Sequence, residues 1–306
     1  MKAYTQEEID IINESYKVGC SAQQISDLLY EDTGIRRSYS GIWGKIKVPK
    51  PEKIKVSEPL SETYRIIVPT SGGKDSLACL LLARESFPNA IILSVFNDTG
   101  WEHPLTYSYL NYLEKELNIG ILRTYKYSLP ELIVKAGMFP RWNVRFCTSN
   151  LKQNTFRDYY RDFIYDGSNW EVWFGMRQEE SISRKRKYVG IVYDDLFSPS
   201  DMFPNVYSKK LSKTLRFRLP VADWTESEIF AYIESCGVDV NPLYAAGNAR
   251  VGCYPCMLAS KTAQSAMLDT EFGKARLAEI RELEQKIGKK YEMYDTDQGS
   301  CALCRI

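Results

Sequence analysis

The chain has 306 residues, room for one large domain or one domain with an appendage, and enough length to bury a substantial core. Hydrophobic residues make up 44% and charged residues 26%, as in a soluble globular protein, and a net charge of +1 excludes a globally basic nucleic-acid binder while leaving room for a local basic face. The opening Met1-Lys2-Ala3-Tyr4-Thr5-Gln6-Glu7-Glu8 carries acids where a secretory leader needs an apolar run, and no apolar stretch is long enough to cross a bilayer, so a soluble, cytoplasmic protein without a membrane partner is expected.

Residues 1–48 read as a small helical domain. Thr5 followed by Glu8 is a capping-box pattern, Ile9, Ile11, Ile12 and Tyr16 supply apolar positions, and Gly19 breaks the run. Ser21 is placed to cap a second helix carrying Ile25, Leu28 and Leu29, and residues 38–47 suggest a third, basic one. Three such helices resemble a helix-turn-helix, whose last helix enters the DNA major groove, and point to DNA or RNA as a partner. The plainer alternative is a bundle that packs on the enzyme or on a partner. Residues 49–60, rich in proline and charge, suit an extended tether.

From Tyr64 the pattern changes. Residues 65–70, 90–96, 120–125 and 171–175 read as apolar strands, with helices after Ser76 and over 107–117. This alternation predicts an α/β fold with a doubly wound parallel sheet over residues 61–262 and ligands at the carboxyl ends of its strands. Residues 185–218 read as an irregular insertion or small hairpin. Asp223 or Thr225 reads as a helix cap, with Trp224 filling a core. Residues 263–306 read as one charged helix, about 263–289, and a cysteine-bearing tail.

The strongest local signal is Ser71-Gly72-Gly73-Lys74-Asp75-Ser76, set between a strand and a helix. Glycines let backbone N–H groups close around an anion, and the helix N-terminus and the Lys74 ammonium add positive charge. Ser71 and Ser76 can donate hydroxyls. Asp75 fits beside phosphate only as a cap or as a holder of Mg²⁺. The spacing is not that of a Walker A loop.

The hexapeptide resembles the PP-loop of the ATP pyrophosphatase superfamily, the adenine nucleotide α-hydrolases. Later stretches resemble its phosphoadenylylsulfate (PAPS) reductase family, in order: Asn97-Asp98-Thr99-Gly100, Arg145-Phe146-Cys147 with Lys152, Gly175-Met176-Arg177 with Ser181 and Arg184, Pro220 to Trp224, Asn241-Pro242-Leu243-Tyr244, and Gly252-Cys253-Tyr254-Pro255-Cys256. The resemblance implies that ATP is held by its β,γ-pyrophosphate and cut between the α and β phosphates. It implies Asp98, Thr99 and Gly100 beside the adenosine, and Gly175 with the cations Arg145, Lys152, Arg177 and Arg184 around the phosphates. Lys74, Asp75, Arg177 and Arg184 are the expected catalytic groups. Two departures matter: the Glu-Cys-Gly segment of PAPS reductases is missing, and the phosphate loop, degenerate in them, is intact here. Both point to ATP rather than a sulfonucleotide, in sulfur transfer or nucleic-acid modification. The alternatives are a sulfonucleotide reductase using Cys301 or Cys304, a nucleotide- or redox-sensing DNA-binding regulator, and a flavin nucleotidyl transferase.

Of eight cysteines, Cys253 and Cys256 form one Cys-x-x-Cys pair and Cys301 and Cys304 another, enough for a four-thiolate site. Such a site suits a [4Fe–4S] cluster or Zn²⁺, with a redox dithiol or plain thiols as further readings. Cluster-bearing relatives imply Cys147 as another ligand, and a sulfur donor or redox protein as partner. Cys20, Cys79 and Cys236 read as packing residues. His103, the single histidine, reads as a nucleotide contact or a structural residue. An oligomer is compatible with all of this.

Overall fold

Residues 4–17, 22–35, 37, 45, 53–54, 64–141 and 143–292 are described in a computed structural model of the chain, which divides into the units Met1–Lys50 and Pro51–Ile306. In the first unit, α1 (Gln6–Lys17) and α2 (Ala22–Thr33) pack through Ile12, Ile25 and Leu29, all fully buried. Leu28, expected beside Leu29 on the apolar face, is 43% exposed, because it lies about 100° round the helix from that neighbour. The capping box is present: Glu8 N–H donates to Thr5 Oγ1 at 3.2 Å, and Thr5 N–H donates to Glu8 Oε2 at 2.8 Å. The Ser21 cap and the third helix fall outside the described residues.

The second unit holds a seven-stranded sheet. Its strands are β1 (Lys53–Ile54), β2 (Arg65–Pro69), β3 (Ile91–Asn97), β4 (Ile121–Thr124), β5 (Trp170–Trp173), β6 (Leu196–Phe197) and β7 (Leu215–Arg218), in the order β1-β6-β7-β5-β2-β3-β4. The five strands from β7 to β4 run parallel; β6 and β1 extend one edge antiparallel. Side chains of a strand alternate between faces. Thus Ile66 and Val68 enter one core with Leu77, Leu110 and Ile229, while Ile67 enters the opposite core with Val95, Val172, Phe156 and Phe217. Both faces are covered, which is why the parallel strands read as continuous apolar runs.

Helices α3 (Lys74–Ser86), α4 (Pro104–Glu116) and α5 (Leu129–Ala136) connect the first strands. A stretch of π-helix at Thr148–Gln153 leads into α6 (Asn154–Tyr159), and α7 (Ile182–Tyr188) and α8 (Pro199–Met202) precede β7. After β7 come α9 (Glu226–Ser235), α10 (Lys261–Leu268) and α11 (Glu271–Ile287). The chain lays β3 and β4 on one side of β2, then crosses to lay β5 and β7 on the other. That reversal opens a crevice at the carboxyl ends of β2 and β5, where an open α/β sheet takes its ligand.

Three expectations are corrected. Residues 185–218, read as an irregular insertion or small hairpin, contain α8 and the antiparallel pair β6 and β7, but β7 is no loop strand: it lies inside the sheet between β6 and β5, with Arg218 on the buried Glu171 through Nε at 2.8 Å. The helix expected over 263–289 is two helices. Thr270 caps the second with its hydroxyl on Gly273 N–H at 2.9 Å, and a Cβ at Gly273 would stand 2.0 Å from the Met267 carbonyl oxygen. Cys236, taken as a packing residue, is exposed at the end of α9, whereas Cys79 is fully buried in α3. Thr225 does cap α9, through a capping box with Glu228, and Trp224 packs partly buried against the core.

Candidate active site

Gly72 turns the chain out of β2 with φ +75°, a left-handed conformation suited to glycine, and a Cβ there would stand 2.9 Å from Thr106 Cγ2. Gly73 then caps α3 in an extended conformation. The loop is braced by hydroxyls: Ser71 N–H donates to Ser76 Oγ at 3.2 Å and Ser76 Oγ donates to the Gly73 carbonyl at 2.9 Å. Asn241 Nδ2 holds the Gly72 carbonyl at 3.2 Å, and Lys74 N–H donates to Tyr244 Oη at 3.0 Å.

The charged groups are interlocked. Lys74 Nζ lies 3.2 Å from Asp75 Oδ2 and 3.0 Å from Glu226 Oε1. Arg177 Nε lies 2.6 Å from Asp75 Oδ1, and its Nη1 lies 2.8 Å from Glu179 Oε2. Burial opposes the Arg177 charge, Asp75 and Glu179 outweigh it, and the net effect raises its pKa. Gly175 must be glycine: a Cβ would stand 2.6 Å from the Asp75 carbonyl carbon and oxygen. Arg184 is buried on Glu180, which also faces Arg250 at 3.8 Å.

The charged groups line one cavity of about 620 Å³, the size of a nucleotide-class site. Ser71, Gly73, Lys74, Asp75, Ser76, Gly175, Arg177 and Arg184 lie in its wall, and Lys152 is accessible within it. An apolar portion of the wall is built by Phe156, Phe174, Met176, Phe203 and Tyr207, with Asn97 at the tip of β3. Gly72, Asp98, Thr99, Gly100 and Arg145 are outside this lining. Asp98 instead takes the Gly100 N–H and the Tyr107 hydroxyl, each at 2.8 Å, and Thr99 donates to Glu102 Oε1 at 2.6 Å. They shape the strand tip that carries Glu102 into the wall.

Glu102 was not among the residues expected from the sequence. It is buried, burial raises its carboxyl above the ordinary range, and the Thr99 hydrogen bond and the Lys152 charge oppose that rise. Cys253 is the largest influence raising Lys152, against desolvation, with Cys256, Glu102 and Cys147 adding to it. Burial pushes Cys253 up to about 12 despite the opposing Lys152 charge, and raises Cys147 as well. The three described thiols of the expected cysteine site thus gather electrostatically about Lys152. Even so, among the described residues no group of three or more His, Cys, Asp or Glu is placed to hold a metal ion. Cys301 and Cys304 fall outside the described residues.

Tyr244, Glu226, Glu179, Glu180 and Arg250 were also missed as wall residues. Tyr244, Glu179, Glu180 and Glu226 stand within or beside the family-like stretches with no role attached, and Arg250 carries no local pattern that separates it from a surface charge. His103 caps α4, its Nδ1 accepting from Leu105 N–H at 3.1 Å, and its ring meets Tyr254 and Phe272 edge-on, a structural post.

A protein of the gpa 5' region of Escherichia phage 186 is 28% identical over 260 residues, covering 67% of this chain and 71% of its own. Sulfate adenylyltransferase subunit 2 of Buchnera aphidicola subsp. Acyrthosiphon pisum is 25% identical over 202 residues, and the chain spans 65% of its length and 63% of its own. Among solved structures, the PAPS reductase of Candida auris in its phosphate complex superposes with TM-score 0.40 at 17% identity, over 83% of this chain and 98% of that one. The family model described as the phosphoadenosine phosphosulfate reductase domain matches residues 65–259, from the first residue of β2 to three residues past Cys256, and the chain belongs to that family.

Proposed function

We propose that the chain cleaves ATP between its α and β phosphates and transfers the adenylyl group to an acceptor. The observation that carries this reading is the intact Ser71–Ser76 loop opening, with Arg177 and Lys152, into the same cavity as the aromatic portion of the wall. Lys74 and the loop hold the β and γ phosphates. Arg177, fixed by Asp75 and Glu179, stabilises the departing pyrophosphate, and Lys152 balances charge developing on the α-phosphate oxygens. An acceptor oxygen bonds to the α-phosphorus, the bond to the bridging oxygen breaks, pyrophosphate leaves with the electron pair, and the acceptor proton passes to solvent. With water as acceptor the products are AMP and pyrophosphate.

Mg²⁺ fits this wall, since it is commonly held by one or two carboxylates together with phosphate oxygens. Asp75 would hold it, and the ion supplies neutralisation of the phosphate charge. The described thiols do not by themselves fit an iron–sulfur or zinc centre, and no step is assigned to one. The sulfate adenylyltransferase relative favours an acceptor from sulfur metabolism. The N-terminal helices favour a nucleic-acid acceptor.

ATP labelled at the α-phosphate, incubated with sulfate, sulfur donors or RNA, should yield AMP or an adenylylated acceptor together with pyrophosphate. Lys74→Ala should lose about 100-fold or more in rate, the scale of one preorganised charge-stabilising donor. ADP and inorganic phosphate as products would sink the proposal. The family description supports a second reading, sulfonucleotide reduction, for which thioredoxin-dependent sulfite release from PAPS is the readout.

A further inference from the structure

The phosphate loop presents several of its amides through hydroxyl groups. Ser71 N–H donates to Ser76 Oγ at 3.2 Å, Gly73 N–H to Ser71 Oγ at 3.4 Å, and Lys74 N–H to Tyr244 Oη at 3.0 Å. The two serine hydroxyls are engaged inside the loop: Ser76 donates to the Gly73 carbonyl at 2.9 Å, and Ser71 lies 3.4 Å from Ser76 Oγ. Tyr244 differs from them. Its oxygen accepts from Lys74, and among the described residues no acceptor takes its proton.

The phenol stands in the cavity wall, 3.3 Å from where a Gly73 Cβ would be, with its ring 5.5 Å from Lys74 Nζ. The ring is pinned edge-on by Phe230, with centroids 5.5 Å apart. Its backbone is fixed by Asn241, which holds the Gly72 carbonyl with Nδ2 at 3.2 Å and takes the Leu243 N–H on Oδ1 at 3.0 Å. Burial raises the phenol above its ordinary range, so it keeps its proton at neutral pH. A hydroxyl that accepts from a backbone N–H is polarised towards donating its own proton, because linked hydrogen bonds strengthen one another.

We infer that Tyr244 is an anion ligand of this site, donating its phenolic proton to a terminal pyrophosphate oxygen while it receives the Lys74 amide. The inference rests on the pyrophosphate reading of the loop. On this view the amide at the start of α3 reaches the anion through the phenol, and Tyr244 favours a terminal pyrophosphate over a nucleoside lacking one.

Calorimetric binding of inorganic pyrophosphate and of adenosine to the full chain tests it, comparing wild type with Tyr244→Phe. The variant keeps the ring and its packing. Pyrophosphate binding should weaken about 10-fold or more, the worth of a hydrogen bond to a charged group, with adenosine binding unchanged and the thermal midpoint lowered only by the loss of the Lys74 N–H bond. Equal weakening of both ligands would assign Tyr244 a structural role and overturn the inference. Unchanged or tighter pyrophosphate binding would overturn it too, with the loop reading intact. Failure of wild type to bind pyrophosphate would overturn both together.

Discussion

Arg177 Nε donates to Asp75 Oδ1 across 2.6 Å, joining the segment that follows β5 to the first turn of the helix that follows the phosphate loop. The carboxylate is shared, since Asp75 Oδ2 also meets Lys74 Nζ at 3.2 Å. One acid therefore orients two cations of the phosphate site. Asp75→Asn keeps the shape and removes the charge, leaving Arg177, 3% exposed, with Glu179 as its remaining carboxylate. Urea unfolding should show a loss of about 3 kcal/mol, the lower end for breaking a buried pair. An unchanged midpoint would mean that Glu179 suffices.

Gly175 sets how closely that segment approaches the loop. A Cβ would fall 2.6 Å from the carbonyl of Asp75, main-chain atoms that cannot swing away. Gly175→Ala should cost about 1–3 kcal/mol, as overpacking does, and displace the start of α3. Turnover should fall at least about tenfold through mispositioned loop groups. Gly120→Ala, where a Cβ meets nothing within 4 Å, is the control and should change neither quantity. A fully active Gly175→Ala protein would contradict the packing argument.

Glu226 holds Lys74 Nζ at 3.0 Å, and its side chain is 54% exposed. A phosphate must compete with it for the ammonium. Glu226→Gln should tighten pyrophosphate binding about 2- to 5-fold without divalent cations, a modest gain because the pair is screened by solvent. Weaker binding in calorimetry would instead place Glu226 on the side of the ligand.

What could be read from the chain beforehand follows how local each feature is. The phosphate loop lies within six residues of strand–turn–helix, and the box at Thr5 and the cap at Asp223 or Thr225 rest on short patterns, so these were legible, the structure choosing Thr225. Strand β7 was not: Leu215-Arg216-Phe217-Arg218 carries two cations, and only the buried Glu171, 47 residues earlier, makes Arg218 a sheet residue. Glu102 and Tyr244 reach the cavity from chain distant from the loop, on turns whose geometry is set by Thr99 and Asn241. The apolar lining was hidden for the same reason, since Phe156 and Phe203 come from segments far from the loop in sequence.

Glu8 gives a pH dependence to the N-terminal unit. The Arg37 guanidinium, 2.6 Å away, holds the Glu8 carboxyl below its ordinary range, against burial, with Thr5 assisting. A depressed carboxyl contributes stability that is fully present above its unfolded value near 4.5 and is lost as pH falls through the lower folded value. Hydrogen-exchange protection of α1 and α2, corrected for the intrinsic exchange rate, should therefore fall below about pH 4.5 in wild type and show a flatter profile in Glu8→Gln. Identical profiles for the two proteins would remove this pair as the cause.

Cys79 offers a direct probe of the phosphate helix. It sits in α3, three residues past Ser76, fully buried, and burial pushes its thiol well above the ordinary range. Alkylation needs a thiolate and access, so Cys79 should react only when α3 opens, whereas the exposed Cys236 should react at once. A ligand that binds only the closed loop lowers the open population in proportion to its occupancy. Pyrophosphate at 100 times its dissociation constant should therefore slow Cys79 labelling about 100-fold, read by peptide mass spectrometry, and leave Cys236 unaffected. Equal slowing at both sites would signal general stabilisation, and no slowing at Cys79 would separate the ligand from the loop.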